Sequence, residues 1–469
     1  MSKPLHVNLF EMNCVSHIVH GLWAHPDNQR HRFNDIDYWT ELAQLLEYGT
    51  FDGVFLADVV GAYDRFRGGP ETALREAVQI PSNDPLLVIP AMAAVTRNLG
   101  FGATFSTTYE PPFAFARRMS TLDHLTRGRV GWNIVTSYLP NAARNFGLDG
   151  EVPHDRRYEI ADEYLDVLYK LWEGSWDDDA VILDRAQRVY TDPRKVRYIE
   201  HVGEHFKVAG PHLCQPSRQR TPVLFQATGS AAGGEFAGRH AEVVFTGGAT
   251  PREVRQNIQR MRERARAHGR DPATLKFIVQ AAVIVGRSDL DVHDKLQSYR
   301  RLQSLDGALA HMQSAVDLAA YPPQTRLADL PGGLSGPWAG LAASDPQATV
   351  GQLARRLGGF DEGRFFVAGT PGVVADEIEK WLDEDGIDGI NLRQFLSFET
   401  ARDFIELVVP ELRRRGRFRD SYNDGETLRE RFFGAGRARL PDDHYGARYR
   451  DPAALRQPAA PLRFSAEPA

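Results

Sequence analysis

The sequence predicts an α/β fold, a TIM-type (β/α)8 barrel carrying insertions, on two observations. Short apolar runs repeatedly precede longer stretches of helical periodicity, the pattern of strands feeding crossover helices in a parallel sheet. Eight such runs stand out, and eight strands are what a closed barrel needs. In chain order they are Leu5 to Phe10, Phe51 to Asp58, Leu99 to Thr104, Val130 to Thr136, Pro222 to Ala227, Glu242 to Thr246, Phe277 to Val285 and Ile387 to Leu392.

The helices between them show apolar stripes. Ile160, Tyr164, Val167, Leu168, Leu171 and Trp172 share one face, as do Val254, Ile258, Met261 and Ala265. Val374, Ile378 and Trp381 mark a helix entering the last strand, and Phe404, Leu407, Val408 and Leu412 mark the helix leaving it. One barrel is therefore expected over 1–417. Two stretches, about 174–220 and about 300–365, are too long for plain connections and read as insertions, each a lid, a brace or a dimer contact. Residues 418–469 have turn chemistry and weak periodicity and read as a C-terminal extension, an arm or a frayed tail.

Composition narrows the function classes. Lys and Arg number 56 against 62 Asp and Glu, a formal charge of −6, which gives no general attraction for nucleic acid or an anionic membrane. Arg413, Arg414, Arg415 and Arg417 follow an apolar helix, where cations suit the negative end of the dipole. The only cysteines, Cys14 and Cys214, lack metal or redox spacing and fit a reducing compartment. The opening MSKPLHVNLFEMNC has no signal-peptide pattern, and no run approaches the roughly 18 apolar residues of a membrane span. A soluble, cytoplasmic protein is expected.

Nucleotide fingerprints are missing: there is no GxxxxGK[ST], and GFGATF from Gly100 lacks the third glycine. Polar residues at strand ends are more informative, because barrel strands converge on one mouth at their C-terminal ends. Asp58 ends FDGVFLAD, Thr104 ends GFGAT, Thr136 and Ser137 end VGWNIVTS, and Thr228 and Ser230 end TPVLFQATGS. Each alone reads as a cap or turn residue. Four at equivalent positions point to a shared polar site.

Ser230 opens the helical stretch SAAGGEFAGRH, whose free N–H groups suit a phosphate, or simply an N-cap. His154 and Tyr158, four apart, share a helix face. Histidines cluster at His17, His20, His25 and His31 without zinc spacing; one of them, His17 for choice, is a candidate proton donor at the mouth. No GxSxG elbow supports a hydrolase.

The segments FDGVFLAD, MSTLDHLTRGRVGWNIVTS, HDRRYEIADEYLDVLYKLWEGSW and TPVLFQATGS resemble, in order and spacing, the two-component flavin monooxygenases of the bacterial luciferase superfamily. The closer group is that of nitrilotriacetate monooxygenase component A, pristinamycin synthase and dibenzothiophene sulfone monooxygenase. NCVSH with WAHP, FLADVVGAYD and LEYGTFD look most like dimethylsulfide monooxygenase.

The resemblance implies a TIM-type barrel binding FMN at its mouth, with Asp58, Thr104 and Ser137 beside the isoalloxazine and His154, Tyr158, Gly229 and Ser230 around the ribityl phosphate. It also implies that a separate NAD(P)H:flavin reductase supplies reduced FMN, that molecular oxygen is activated as a flavin C4a-hydroperoxide, and that the chain forms homodimers or homotetramers. An organosulfur substrate such as dimethylsulfide, cleaved at C–S, is expected first, and a larger xenobiotic such as a halogenated aromatic, sulfone or chelating amine second. QATGS departs from the family's usual QAG-x-S by placing Thr228 where glycine stands. The other classes considered are a deazaflavin-dependent dehydrogenase and a noncatalytic flavin-binding barrel.

Overall fold

The computed structural model describes residues 3–248, 250–330, 345–357, 365–457 and 462. Its centre is a ring of eight parallel strands: β1 (His6–Met12), β2 (Gly53–Ala57), β3 (Gly100–Ser106), β4 (Val130–Val135), β5 (Val223–Ala227), β6 (Val243–Thr246), β7 (Lys276–Val285) and β8 (Gly389–Arg393). Each strand pairs with the next, and β8 pairs with β1 through His6 opposite Gly389, so the sheet closes and leaves no edge. All eight expected strands are present.

A further strand, Phe366–Gly369, was not foreseen. Strand β7 is ten residues long, and its second half outruns its partners β6 and β8; Phe366–Gly369 pairs with that half from Ala282 to Val285. The principal helices are α1 (Ile36–Tyr48), α2 (Pro112–Leu125), α3 (His154–Tyr169), α4 (Ala231–His240), α5 (Pro251–Ala267), α6 (Asp289–Leu302) and α7 (Pro371–Asp383). Their apolar stripes, among them Tyr164, Val167 and Leu168 of α3 and Val254, Ile258, Met261 and Ala265 of α5, are buried against the outer faces of the strands.

The barrel interior is aromatic. Phe55, Phe225 and Phe245 cluster with ring centroids 4.4 to 5.9 Å apart. Gly102 and Gly131 make room for them: a Cβ on Gly102 would sit 2.9 Å from Phe55, and one on Gly131 would sit 2.4 Å from Phe225. Each buried ring contributes about 2 kcal/mol of apolar transfer.

Beyond residue 417 the described chain packs against the barrel through Leu455. Helix Leu428–Phe433, opened by a capping box between Thr427 and Glu430, places Leu428 and Phe432 in the interior cluster, at the N-terminal end of the barrel. Arg429, fully buried beside them, donates to both oxygens of buried Glu242 at 2.8 and 2.9 Å and to the carbonyls of Thr221 and Pro222.

Residues 174–220 connect a helix to the next strand and run back along α3, where Glu204 pairs with Arg156 in its first turn. They form two hairpins, Val181–Asp184 with Val189–Thr191 and His201–Val202 with Lys207–Val208, pinned by Glu163 accepting from the His205 and Phe206 amides. The 300–365 segment is described over 300–330 and 345–357; the LPGG and GPW turn signals lie outside the described residues.

The described part of that segment builds a second apolar cluster over the mouth. Leu309, Ala310, Val316, Leu318, Leu327, Val350 and Leu353 join Tyr63, Phe66 and Val78 from the loop after β2 and Leu139 and Ala142 from the loop after β4. Arg67 clamps it by donating to Asp306 and Asp317 at 2.7 to 3.1 Å.

Candidate functional site

The mouth holds the strand-end residues that the sequence singles out. Asp58 follows β2 and lines a cavity of about 70 Å³ with Val59, Val60, Val135, Ser137, Tyr138, Leu139 and Ala142. Burial in these apolar walls, reinforced by the charge of Asp84, pushes its carboxyl up to about 8. Asp58 is thus a neutral hydrogen-bond donor near neutral pH.

Thr104, on β3, accepts from Asn133 Nδ2 of β4 at 3.0 Å, and Asn133 Oδ1 is buried without a partner. Ser137 has a left-handed backbone (φ 59°), uncommon for a residue with a Cβ, and its hydroxyl donates to Ser106 Oγ at 2.8 Å. The turn lets its carbonyl accept from Arg157, the buried neighbour of Tyr158 on α3, whose Nε has no partner. Arg157 therefore ties the Asp58 side of the mouth to the start of α3.

A second polar cradle forms where α4 begins. Ser230 is its N-cap, the hydroxyl accepting from Gly233 N at 3.1 Å. Tyr158 reaches it from α3: a Cβ on Gly233 would lie 2.6 Å from Tyr158 Oη, 2.0 Å from Thr228 Oγ1 and 3.0 Å from Ser230 Oγ. Around Gly229 there is open space. His154, exposed at the start of α3, stacks edge-on to Tyr158 at 5.3 Å and hydrogen-bonds Asp155 at 2.7 Å. Asp58 and Ser137 thus share one cavity and Tyr158, Ser230 and the start of α3 with His154 meet near Gly229 and Gly233, while Thr104 lies inside β3 against Asn133.

His17 is buried after β1, its ring edge-on to Phe10 at 4.5 Å. Burial, and then the charges of Arg30, His311 and Arg393, hold it well below its ordinary titration range, so it is neutral. Beside it runs a hydrogen-bond chain that sequence reasoning did not assemble. Tyr138 and Tyr63 share a 2.6 Å bond, Tyr63 donates to Gln79 Oε1 at 2.9 Å, and Gln79 Nε2 donates to His311 Nε2 at 3.3 Å. His311 Nδ1 then meets His20 Nε2 at 3.0 Å, and His20 Nδ1 meets Ser16 Oγ at 3.4 Å.

Burial keeps both histidines neutral, His311 down to about 4, so each has one N–H and one acceptor nitrogen and every link can point the same way. His311 belongs to the segment capping the mouth. Its only sequence signal is that it is a histidine; Arg157, equally missed, sits openly in HDRRY.

Chemically, the mouth offers a neutral carboxyl donor, apolar walls and an oriented hydroxyl and imidazole chain. The α4 cradle offers hydroxyls and helix N–H groups, the equipment for an anion.

Comparison with known proteins gives a consistent neighbourhood. The family model described as luciferase-like monooxygenase matches residues 12–389. The chain is similar to the long-chain alkane monooxygenase of Geobacillus thermodenitrificans (strain NG80-2), with 52% identity over 455 residues covering 96% of this chain and 99% of that protein. A crystal structure of long-chain alkane monooxygenase superposes with a TM-score of 0.88 over 96% of this chain and 100% of its own. The dimethyl-sulfide monooxygenase of Hyphomicrobium sulfonivorans is 45% identical over 464 residues, 96% of this chain and 95% of the relative. A crystal structure of riboflavin lyase with modified FMN and riboflavin superposes with a TM-score of 0.86 at 37% identity, over 96% of this chain and 100% of its own.

Proposed function

Because this chain belongs to the luciferase-like monooxygenase family, we propose that it uses reduced FMN and molecular oxygen to oxygenate a small, uncharged, apolar organic molecule. The cavity beside Asp58 carries this reading: its walls are Val59, Val60, Val135, Leu139 and Ala142, with no Arg or Lys among them. A carboxylated chelating amine would lack a counter-charge there. A compact organosulfur compound such as dimethylsulfide, split at C–S, matches both the lining and the size.

The residues present fit FMN. Thr228 Oγ1 and Asn133 Oδ1 are buried polar atoms without partners, and the space beside Gly229 is open. Tyr158, Ser230 and the first N–H groups of α4 would hold the phosphate, with Gly229 leaving the approach open and His154 at its rim. Asp58, Thr104 and Ser137 would border the isoalloxazine. When bound, reduced flavin supplies the two electrons that activate oxygen, one atom of which passes to the substrate while the other leaves as water.

The chain's own residues do three things. Neutral Asp58 donates a hydrogen bond without bringing a negative charge to the mouth. The chain from half-exposed Tyr138 inward to buried Ser16, with His17 beside it, holds protons in a fixed order. The segment carrying His311 covers the mouth and excludes water.

The missing dinucleotide fingerprint supports delivery of reduced flavin by a separate NAD(P)H:flavin reductase. Exposed Ile182, Tyr190, Tyr198, Val202 and Leu213 on the 174–220 insertion support self-association as homodimers or homotetramers. No helix among the described residues is long and apolar enough to cross a membrane.

A second reading, oxidation of long-chain alkanes, is favoured by the 52% identical relative. The deciding experiment supplies the protein with a flavin reductase, NADH and FMN, and follows dimethylsulfide and an n-alkane series by gas chromatography. Thiol release from the sulfide supports the first reading, alcohol formation only from alkanes the second, and neither rejects both.

A further inference from the structure

We propose a second ligand site at the end of the barrel away from the mouth, where Arg270 and Arg437 take a small organic oxyanion, a carboxylate or a phosphate monoester. It does not depend on the flavin reading.

A cavity of about 710 Å³ lies there, about ten times the volume of the one beside Asp58. Of its lining residues, Glu242 stands just before β6 and Thr274 just before β7, so it sits at the N-terminal ends of these strands. Arm residues 436–443 form the other side. A space of this size is that of a small-molecule site.

Arg270 is the reason to expect an anion. Only 2% exposed, it is anchored by Nη1, which donates to the Gly238 carbonyl at 3.0 Å, while Nε and Nη2 are buried without a partner. Those two nitrogens form the edge of a guanidinium that grips a carboxylate or phosphate through two parallel hydrogen bonds. Elsewhere the chain fills this edge with its own carboxylates, Asp317 on Arg67 and Glu242 on Arg429. A buried cation with these donors unused is costly. Burial pulls its pKa down against the opposing influence of Glu242, Tyr169 and Asp443.

The other charges of the cavity are largely engaged. Arg429 pairs with Glu242, Arg439 with Asp178, and Arg450 with Glu173 and Asp442. Asp271 and Asp443 accept from the Ala273 and Asp271 amides at 2.9 and 2.6 Å. Arg437, exposed on the arm side, has no side-chain partner among the described residues. Phe433, Leu440 and Pro441 add apolar wall, which suits an organic anion over a bare ion.

The test is isothermal titration calorimetry of the full-length protein with inorganic phosphate and with octanoate, against sodium chloride at matched ionic strength. One saturable site for at least one probe is expected, and the probe that binds decides between phosphate and carboxylate. Arg437→Ala should weaken that binding about tenfold, the loss of one charged hydrogen bond. Arg270→Lys keeps the charge but removes the two-pronged edge, and should weaken it at least as much. Circular dichroism checks both variants; if Arg270→Lys fails to fold, Arg437→Ala, at an exposed position, decides alone. Undiminished binding in either folded variant overturns the proposal, and its loss in Ser230→Ala would then place the anion at the mouth. Binding of neither probe, or heat that chloride reproduces, overturns it as well.

Discussion

Asp58→Asn should remove a pH dependence of folding that its environment creates. In the unfolded chain this carboxyl loses its proton near 3.8; in the folded protein it holds it to about 8. Between those values the folded state carries a proton that the unfolded state does not, so stability falls as pH rises, and the contribution is gone above the folded pKa. From pH 6 to pH 9 the full effect is RT ln(1 + 10²), about 2.7 kcal/mol. Asp58 is only partly buried, so screening by solvent trims this to about 2 kcal/mol. With about 2.1 cal/mol/K of unfolding entropy per residue, a chain of this length changes by roughly 1 kcal/mol per degree, so the effect amounts to about 2 °C. Urea unfolding or thermal melts of both proteins at pH 6 and 9 read it directly, because every other titrating group cancels in the difference. The wild type should lose about 2 kcal/mol relative to Asp58→Asn over that interval. Parallel profiles would mean that Asp58 is ionised throughout, and the neutral-donor role would fall with it.

Four further outcomes are expected. The protein alone should oxidise NADH or NADPH no faster than buffer, with turnover restored by any competent flavin reductase; rapid oxidation without one refutes the two-component reading. Tyr158→Phe and Ser230→Ala should each weaken reduced FMN by about 1.5 to 3 kcal/mol, the range for hydrogen bonds to a charged group, in an anaerobic titration. Gly233→Ala should abolish FMN binding while circular dichroism stays native, since its Cβ meets Thr228 Oγ1 at 2.0 Å. Arg67→Ala cuts the clamp on Asp306 and Asp317; these pairs are partly exposed, so stability should change by about 1 kcal/mol or less, while hydrogen peroxide released per NADH oxidised should rise. An unchanged peroxide yield would make the mouth segment a brace.

The barrel was legible because eight short apolar-rich runs alternate with helical stretches, even though Asn8, Asn133, Gln280 and Asn391 interrupt four of them. Phe366–Gly369 escaped because four residues make too short a run, and its place depends on how far β7 outruns its partners. Residues 428–457 were illegible for a related reason: Leu428, Phe432, Leu440, Tyr449 and Leu455 are spaced to fit a floor built by other elements, and so show no period of their own. Strand ends drew attention to Asp58, Ser137 and Ser230 because topology fixes where strand ends lie, whereas Thr104 sits two residues inside β3, which runs on to Ser106. Nothing local announced that Tyr63, Gln79 and His311 meet, since that contact exists only once two loops and the mouth segment close on one another.

The plug formed by Leu428, Arg429 and Phe432 has a consequence for biosynthesis. A ribosome delivers these residues after all eight strands, so until they emerge the barrel stands open at its lower end, and Phe225, Val243 and Ile278 lack the side chains that cover them. Glu242 meanwhile lacks the guanidinium that neutralises it. The nascent chain is therefore most vulnerable to aggregation or proteolysis until residues 428–433 emerge, and ribosome-associated chaperones have a clear target there. A stop codon before residue 428 should leave insoluble protein, whereas a tag fused after residue 457 clears the plug and leaves barrel closure undisturbed.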